Sequence, residues 1–312
     1  MATRIKILTV SLLAFSFTYW AGFAYLGTML ETPAYYLASL IFEKTTSPEE
    51  LIKKYENGNI KILIVPGHDK ENYGAQYRGV TESSLNAELG VQLFEYFRKD
   101  PKFTVFLTNK STGEYNGWIL DYVKSQDTAI NAFKEKTKAI FKNAVKIGAI
   151  KQETKILHNP ATDNASKILY GVNKWANDND IDMVLHLHFN DYPGRKYDMP
   201  GKYKGFAIYI PDDQLPNHQA SLEIARSIRK EIKKIQTESN FSKEKDIIIE
   251  DQQLIAVGAN ASRDGVSILI EYGYIYEPEF YDKEIRPYAL RDAAIATYQG
   301  VKNFFEQKPV RN

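Results

Sequence analysis

The nine residues Ile60-Lys61-Ile62-Leu63-Ile64-Val65-Pro66-Gly67-His68 join an almost unbroken apolar run to a glycine and a histidine. A short apolar run that stops at Pro and Gly is typical of a strand buried on both faces, as in a parallel sheet. His68 stands where this strand ends, and it is one of five histidines in the 312-residue chain. We therefore expect a parallel sheet with a polar site at the end of this strand.

Apolar segments of strand length alternate with segments of helical periodicity along the rest of the chain. The other predicted strands are residues 103–108, 181–189, 205–210 and 266–275. The predicted helices are residues 82–97, most of 117–148, 166–180, 218–235 and 287–307. Such alternation predicts an α/β fold with a mostly parallel central sheet flanked by helices.

The N-terminus carries a long apolar segment, residues 7–30, that contains no charged side chain. As a helix it would be about 36 Å long, which is enough to cross the hydrocarbon core of a membrane. Arg4 and Lys6 precede the segment and Glu31 follows it, which favours an uncleaved single-pass transmembrane helix with the rest of the chain outside the cytoplasm. The alternative is a cleaved signal peptide, whose apolar region is usually shorter.

These patterns divide the chain into three regions. Residues 1–31 form the predicted membrane anchor, residues 32–59 a connector, and residues 60–307 the main domain. Within that domain, residues 110–165 are predicted to form a helical insertion. The insertion is either a solvated helix packed on the sheet or a lid over the site, because helices of both kinds look alike in sequence.

Composition excludes several kinds of chemistry. The chain has no cysteine, which rules out disulfides, thiolate zinc sites and a cysteine nucleophile. Its formal net charge of +1 gives no indication of nucleic-acid binding. A hydrophobic fraction of 44% and a charged fraction of 25% are ordinary for a globular domain.

Histidines and carboxylates collect at the predicted ends of three strands. His68 ends the first, His186 and His188 end another, Glu271 ends the last, and Glu82 opens the helix after the first strand. Each residue alone has an ordinary structural explanation, such as a turn, a helix start or a buried hydrogen-bonded ring. Together at one sheet edge, they predict a zinc site of two imidazoles and one carboxylate, with a further carboxylate beside it as a proton acceptor.

Several short motifs follow one another in a specific order between residues 60 and 306. They are Gly67-His68, Gly74-Ala75, Glu82 with Asn86, Ala176-Asn177, Asp182, His188 with Asn190, "LIEYGYI" at 269–275 and the helix containing 294–305. This order and spacing resemble the zinc-dependent N-acetylmuramoyl-L-alanine amidases of bacterial cell walls, the amidase-3 family. The resemblance implies an α/β hydrolase that acts on peptidoglycan.

The resemblance also implies specific roles for the residues that match. His68, Glu82 and His188 would bind one zinc ion, and Glu271 would be the catalytic carboxylate. The expected reaction is cleavage of the amide between N-acetylmuramic acid and L-alanine by a zinc-activated water. Together with the anchor, this predicts a cell-membrane enzyme whose catalytic domain is extracytoplasmic and whose partners are peptidoglycan and the membrane, without nucleic acid.

Several alternatives stay open from the sequence. His186 replaces a serine of the family motif, so it is either a neighbour of the ligands or an alternative ligand to His188. Asn86 and Asn190 are candidates for the substrate side of the site. The alternative functions are a zinc amidohydrolase or carboxypeptidase acting on another peptide-like substrate, and a wall-binding regulator without catalysis. The sequence identifies neither the preferred stem peptide nor the oligomeric state nor any regulatory protein.

Overall fold

A computed structural model of the chain describes residue 40 and residues 46–154, 158, 161–192 and 194–306. In chain order its strands are β1 Ile60–Pro66, β2 Gln76–Tyr77, β3 Val80–Thr81, β4 Phe103–Leu107, β5 Met183–Asn190, β6 Ala207–Pro211, β7 Ile248–Asp251 and β8 Val266–Tyr274. Six of them form the central sheet in the order β4-β1-β5-β8-β6-β7, and β2 pairs with β3 as a separate hairpin.

The central sheet is mostly parallel, as predicted. β1 pairs in parallel with β4 and β5, and β5 pairs in parallel with β8. The exception among the six strands is the contact between β6 and β8, which is antiparallel. β7 was not predicted, because its Ile248 and Ile249 form a very short apolar run among charged residues.

Helices cover both faces of this sheet, which confirms the predicted α/β fold. They are α1 Pro48–Glu56, α2 Glu82–Arg98, α3 Gly117–Ser125, α4 Asp127–Lys146, α5 Asp163–Asp178, α6 His218–Ile232, α7 Pro278–Tyr281 and α8 Arg286–Glu306. Leu89 of α2 and Ile228 of α6 share one buried core with Ile64 of β1. On the opposite face, Ile119 of α3 and Val172 of α5 join Val65 of β1, the neighbour of Ile64. Alternate side chains of β1 therefore enter different cores, as expected for a strand buried on both faces.

The predicted helical insertion contains two helices, α3 and α4, which are separated at Gln126. Ile130 of α4 is buried with Tyr170 of α5, and Phe141 is buried with Ala261. α4 therefore packs on α5 and on the short segment after residue 254, one layer outside the sheet. The lid over the site stays an untested alternative.

No described helix combines the length and the apolar character needed to cross a bilayer. The predicted transmembrane segment, residues 7–30, lies outside the described residues. The membrane anchor therefore stays a prediction from the sequence.

Candidate metal centre

The carboxyl ends of β1, β5 and β8 meet at one edge of the sheet, because these neighbouring strands run parallel. Gly67 N donates a hydrogen bond to Leu187 O at 2.9 Å, which fixes the end of β1 beside β5 just before His68. Glu271 of β8 stands directly opposite His188 of β5. Since adjacent strands are about 4.8 Å apart, this pairing brings the last strand's carboxylate beside the histidine.

Glu82, the first residue of α2, bridges the two histidines. Its Oε1 lies 2.9 Å from His188 Nδ1, and its Oε2 lies 3.2 Å from His68 Nε2. One candidate ligand atom from each of the three residues lies within 4.8 Å of the other two. Glu82 is only 5% exposed, while both histidines are half-buried. The structure thus brings the three predicted metal ligands into one cluster.

The local sequence holds the Glu82 carboxylate in this position. Thr81 caps α2 by accepting a hydrogen bond from Ser84 N at 3.2 Å. Ala75 N donates to Glu82 Oε2 at 3.0 Å, and Phe189 N donates to Oε1 at 3.3 Å. Because hydrogen bonds to an ionised carboxylate are stronger than neutral ones, the loop after β1 and the end of β5 both orient the acid.

Two glycines of the predicted motifs leave room for the ligands. A Cβ on Gly67 would lie 2.2 Å from His188 Cε1, and a Cβ on Gly74 would lie 2.4 Å from Glu82 Oε2. Gly74 also has a φ of +70°, which residues with a side chain rarely adopt. His68 itself has a φ of +62°, an uncommon conformation that often marks functional sites. Close packing around the ligands therefore explains why glycine stands at both positions.

Electrostatics favour an ionised acid between the histidines. Burial by itself would raise the pKa of Glu82, but its contacts with His188 and then His68 outweigh burial and lower the pKa well below the usual value. Burial would likewise lower the pKa of His68, yet the Glu82 carboxylate outweighs it and raises the pKa. The centre therefore combines a stable anion with two imidazoles that face it.

The donor set fits zinc. Two imidazole nitrogens and one carboxylate oxygen are the protein ligands of many catalytic zinc sites, which keep a further position open for water or substrate. Here a cleft of about 420 Å³ lies against the cluster and is lined by His68 and His188. The three residues could therefore hold one zinc ion at the base of an accessible cleft.

Glu271 supplies an acid, and one of its oxygens has no hydrogen-bond partner among the described residues. Its Oε2 is buried and accepts no hydrogen bond from any described residue. Burial, then the negative charges of Glu82 and Glu244, raise the pKa of Glu271 well above its usual value. A half-buried carboxyl group with one buried, unpaired oxygen beside a metal-type cluster is typical of a proton-transfer residue.

His186 lines the same cleft but lies outside the ligand cluster. It is 1% exposed, and its Nε2 has no hydrogen-bond partner within the described part of the chain. Burial and then the neighbouring His188 lower the pKa of His186 to about 3, so the ring is neutral at physiological pH. The candidate cluster contains His188, whose Nδ1 faces Glu82, and does not contain His186.

The two candidate substrate-side asparagines occupy different positions. Asn86 is completely buried on α2, and its Nδ2 donates to Gly67 O at 2.8 Å. It therefore links α2 to the turn that carries His68. Asn190 is half-buried at the end of β5, and its Nδ2 donates to Glu244 Oε1 at 2.6 Å. In this structure both amides hold other parts of the site.

Glu244 is a buried acid near the site that the sequence did not predict. It is 2% exposed and accepts hydrogen bonds from four side chains: Asn190, Tyr209, Ser239 and Tyr274. Glu244 and its neighbours in sequence, "SKEKD" at 242–246, form a charged run that is typical of a solvent-exposed loop. No local pattern could therefore have indicated that this glutamate is buried beside β5, β6 and β8.

Comparisons with known proteins agree with this geometry. The family model described as N-acetylmuramoyl-L-alanine amidase, the amidase-3 family, matches residues 62–303. The chain has no significant match among curated proteins.

Solved structures of low sequence identity share the fold. The N-acetylmuramoyl-L-alanine amidase of Clostridium difficile 630 is 15% identical, with a TM-score of 0.51 over 80% of this chain and 99% of that one. The CwlD amidase of Clostridioides difficile, solved in complex with the GerS lipoprotein, is 17% identical, with a TM-score of 0.50 over 79% of this chain and 98% of that one.

The family match spans most of the chain and includes every residue of the metal-type cluster together with Glu271. The chain therefore belongs to the amidase-3 family of N-acetylmuramoyl-L-alanine amidases.

Proposed function

We propose that this amidase cleaves the bond between the lactyl group of N-acetylmuramic acid and L-alanine in peptidoglycan, with one zinc ion held by His68, Glu82 and His188. The observation that carries the proposal is the bridging Glu82 carboxylate, which brings both histidines together directly beside Glu271. Family membership supports the reaction class and the substrate.

In the proposed reaction, His68, Glu82 and His188 would hold the zinc ion, and Glu271 would transfer protons. Zinc, when bound, would supply a Lewis acid that polarises the amide carbonyl and makes a water molecule acidic. Glu271 Oε2 accepts a proton from the attacking water as the new C–O bond forms. The same carboxyl group then delivers the proton to the amide nitrogen as the C–N bond breaks, so the products are a carboxylic acid and a free amine. The raised pKa of Glu271 suits it to this second step.

We also propose that residues 7–30 anchor the enzyme in the cell membrane with the catalytic domain outside the cytoplasm. The uncharged apolar segment and the basic residues before it support this topology. Fractionation of cells that express the full chain, with protease added to intact spheroplasts, tests it. Membrane-bound protein that the protease removes fits the proposal, whereas release into the medium fits the cleaved signal peptide.

The reaction is tested with purified full-length chain, zinc and isolated peptidoglycan, followed by mass spectrometry of the products. We expect intact stem peptides with a free L-alanine amine, and their loss after zinc removal by a chelator. Trimming of single residues from the stem peptide would instead identify a carboxypeptidase. Zinc-loaded protein without any product would support the non-catalytic wall-binding alternative.

A further inference from the structure

A second cavity, of about 560 Å³, lies between α4 and α5. Lys134, Lys138 and Lys142 of α4 line it. Residues four apart lie on one face of a helix, about 6 Å from one to the next along the axis. The three ammonium groups therefore form a single basic stripe along one wall of the cavity.

This stripe is electrostatically unbalanced. None of the three lysines makes an ion pair with a described residue. The Nζ atoms of Lys134 and Lys138 each lie 5.9 Å from the centre of the Tyr170 ring, which is completely buried. The carboxylate that lines the cavity from α5 is Asp163, so positive charge is in excess.

The basic cavity lies next to the cleft that contains His68 and His188, because two residues line both. Leu169 of α5 and Leu254 line both of them. The same cleft is lined by His68 and His188. The basic cavity is therefore adjacent to the cleft of the candidate metal centre, and Leu169 and Leu254 are the residues that lie between the two.

We propose that Lys134, Lys138 and Lys142 form a subsite for carboxylates in the peptide half of the substrate. The proposal rests on the amidase function proposed above. The lactyl carboxyl group of the muramoyl half is consumed in the scissile amide, so that half brings no negative charge to the enzyme. The peptide half carries a terminal carboxylate and any acidic side chains, so charge complementarity places it on the side of α4.

The binding test uses zinc-loaded full-length protein and two dipeptides of the same shape, the free acid alanyl-glutamate and alanyl-glutamine amide, which has the same amine and no carboxylate. We expect the wild type to bind the free acid about tenfold more tightly at low salt, as a charged hydrogen bond contributes. The triple variant K134Q/K138Q/K142Q should bind both dipeptides equally. Added salt should shrink the wild-type preference, because these ammonium groups are solvent-accessible.

The matched control is K124Q/K136Q/K146Q, which removes the same charge from exposed lysines of α3 and α4 that do not line the cavity. It should keep the wild-type preference, and both triple variants should keep the wild-type Tm. Equal binding of the two dipeptides by the wild type, or the same loss of preference in the control, would overturn the proposal.

A binding measurement with inorganic phosphate distinguishes a phosphate site from a carboxylate site. If inorganic phosphate binds the wild type more tightly than alanyl-glutamate does, and the cavity variant removes that binding, the site recognises phosphate and the peptide assignment is wrong.

Hydrolysis assays on N-acetylmuramoyl-alanyl-glutamate and its diamide complete the test. We expect the cavity variant to raise KM for the free acid about tenfold and to leave kcat unchanged. A wild type that discriminates in binding but hydrolyses neither compound would refute the amidase function and leave the anionic subsite intact.

Discussion

Replacement of Gly67 by alanine tests whether the turn after β1 positions the metal ligands. The φ of Gly67 is not positive, so alanine brings no backbone strain there. The new Cβ, however, would lie 2.2 Å from His188 Cε1, and an ordinary contact needs at least 3.4 Å. The His188 ring or the end of β1 must therefore move by about 1.2 Å, the difference between these two distances.

A displacement of this size is large compared with the tolerance of a metal site. Ligand distances usually stay within about 0.2 Å of their preferred values, and overpacking a rigid site costs about 1–3 kcal/mol. We expect G67A to lose about tenfold to a hundredfold in zinc affinity. If the ring yields and β1 does not, the Tm should change little while the zinc affinity falls.

The measurement is a zinc titration in competition with a chromophoric chelator, together with thermal unfolding of the zinc-free protein. Gly117→Ala is the control, because a Cβ there would meet no atom within 4 Å and the φ of Gly117 is not positive. Zinc affinity of G67A within twofold of that of the wild type would refute the role assigned to this glycine, provided that G117A also behaves as the wild type.

Three further predictions concern the remaining acids and His186. Glu271→Gln should keep its zinc content and lose about 10²- to 10⁴-fold in hydrolysis rate, as for removal of a general acid–base residue; wild-type turnover would exclude that role. Burial lowers the pKa of His186 from 6.5 to about 3. The stability that the neutral His186 ring contributes is therefore fully present above pH 6.5 and is lost as the pH falls toward 3, because only the unfolded chain takes up a proton there. H186Q should therefore show a shallower fall in Tm over that range than the wild type, and parallel curves would contradict this. Glu244→Ala should lower stability by about 3 kcal/mol, because four donors lose their acceptor and two of them, Ser239 and Tyr274, are buried. Replacement of the exposed Glu56 by alanine is the control, and equal Tm values for the two variants would refute the network.

The sequence predicted the parts of the site that follow from strand direction. β1, β5 and β8 are apolar enough to be recognised as buried strands, and parallel strands place their carboxyl ends at one edge. Strand direction alone therefore predicts that His68, His188 and Glu271 lie close together. Residue spacing could not decide whether His186 or His188 is the candidate ligand, since both lie on the same face of β5. The distinction depends on α2, whose first turn brings Glu82 to Nδ1 of His188.

Other features depend on long-range contacts that leave no local pattern. Glu244 is buried because Tyr209 and Tyr274 come from two different strands to bind it. The antiparallel position of β6 beside β8 likewise follows from the path of the chain after Asn190, not from the composition of "AIYIP".

The candidate metal centre also depends on the packing of the whole domain. Its three candidate ligands come from the loop after β1, the start of α2 and the end of β5. A buried carboxylate such as Glu82 is costly unless hydrogen bonds or a cation compensate it, and here backbone groups of Ala75 and Phe189 already do so from two separate segments. The acid is thus held in place by the fold itself, and the two imidazoles are oriented by the acid. A fold that fixes the anion first needs little rearrangement when a cation binds, which is the condition for an accurately positioned hydrolytic centre.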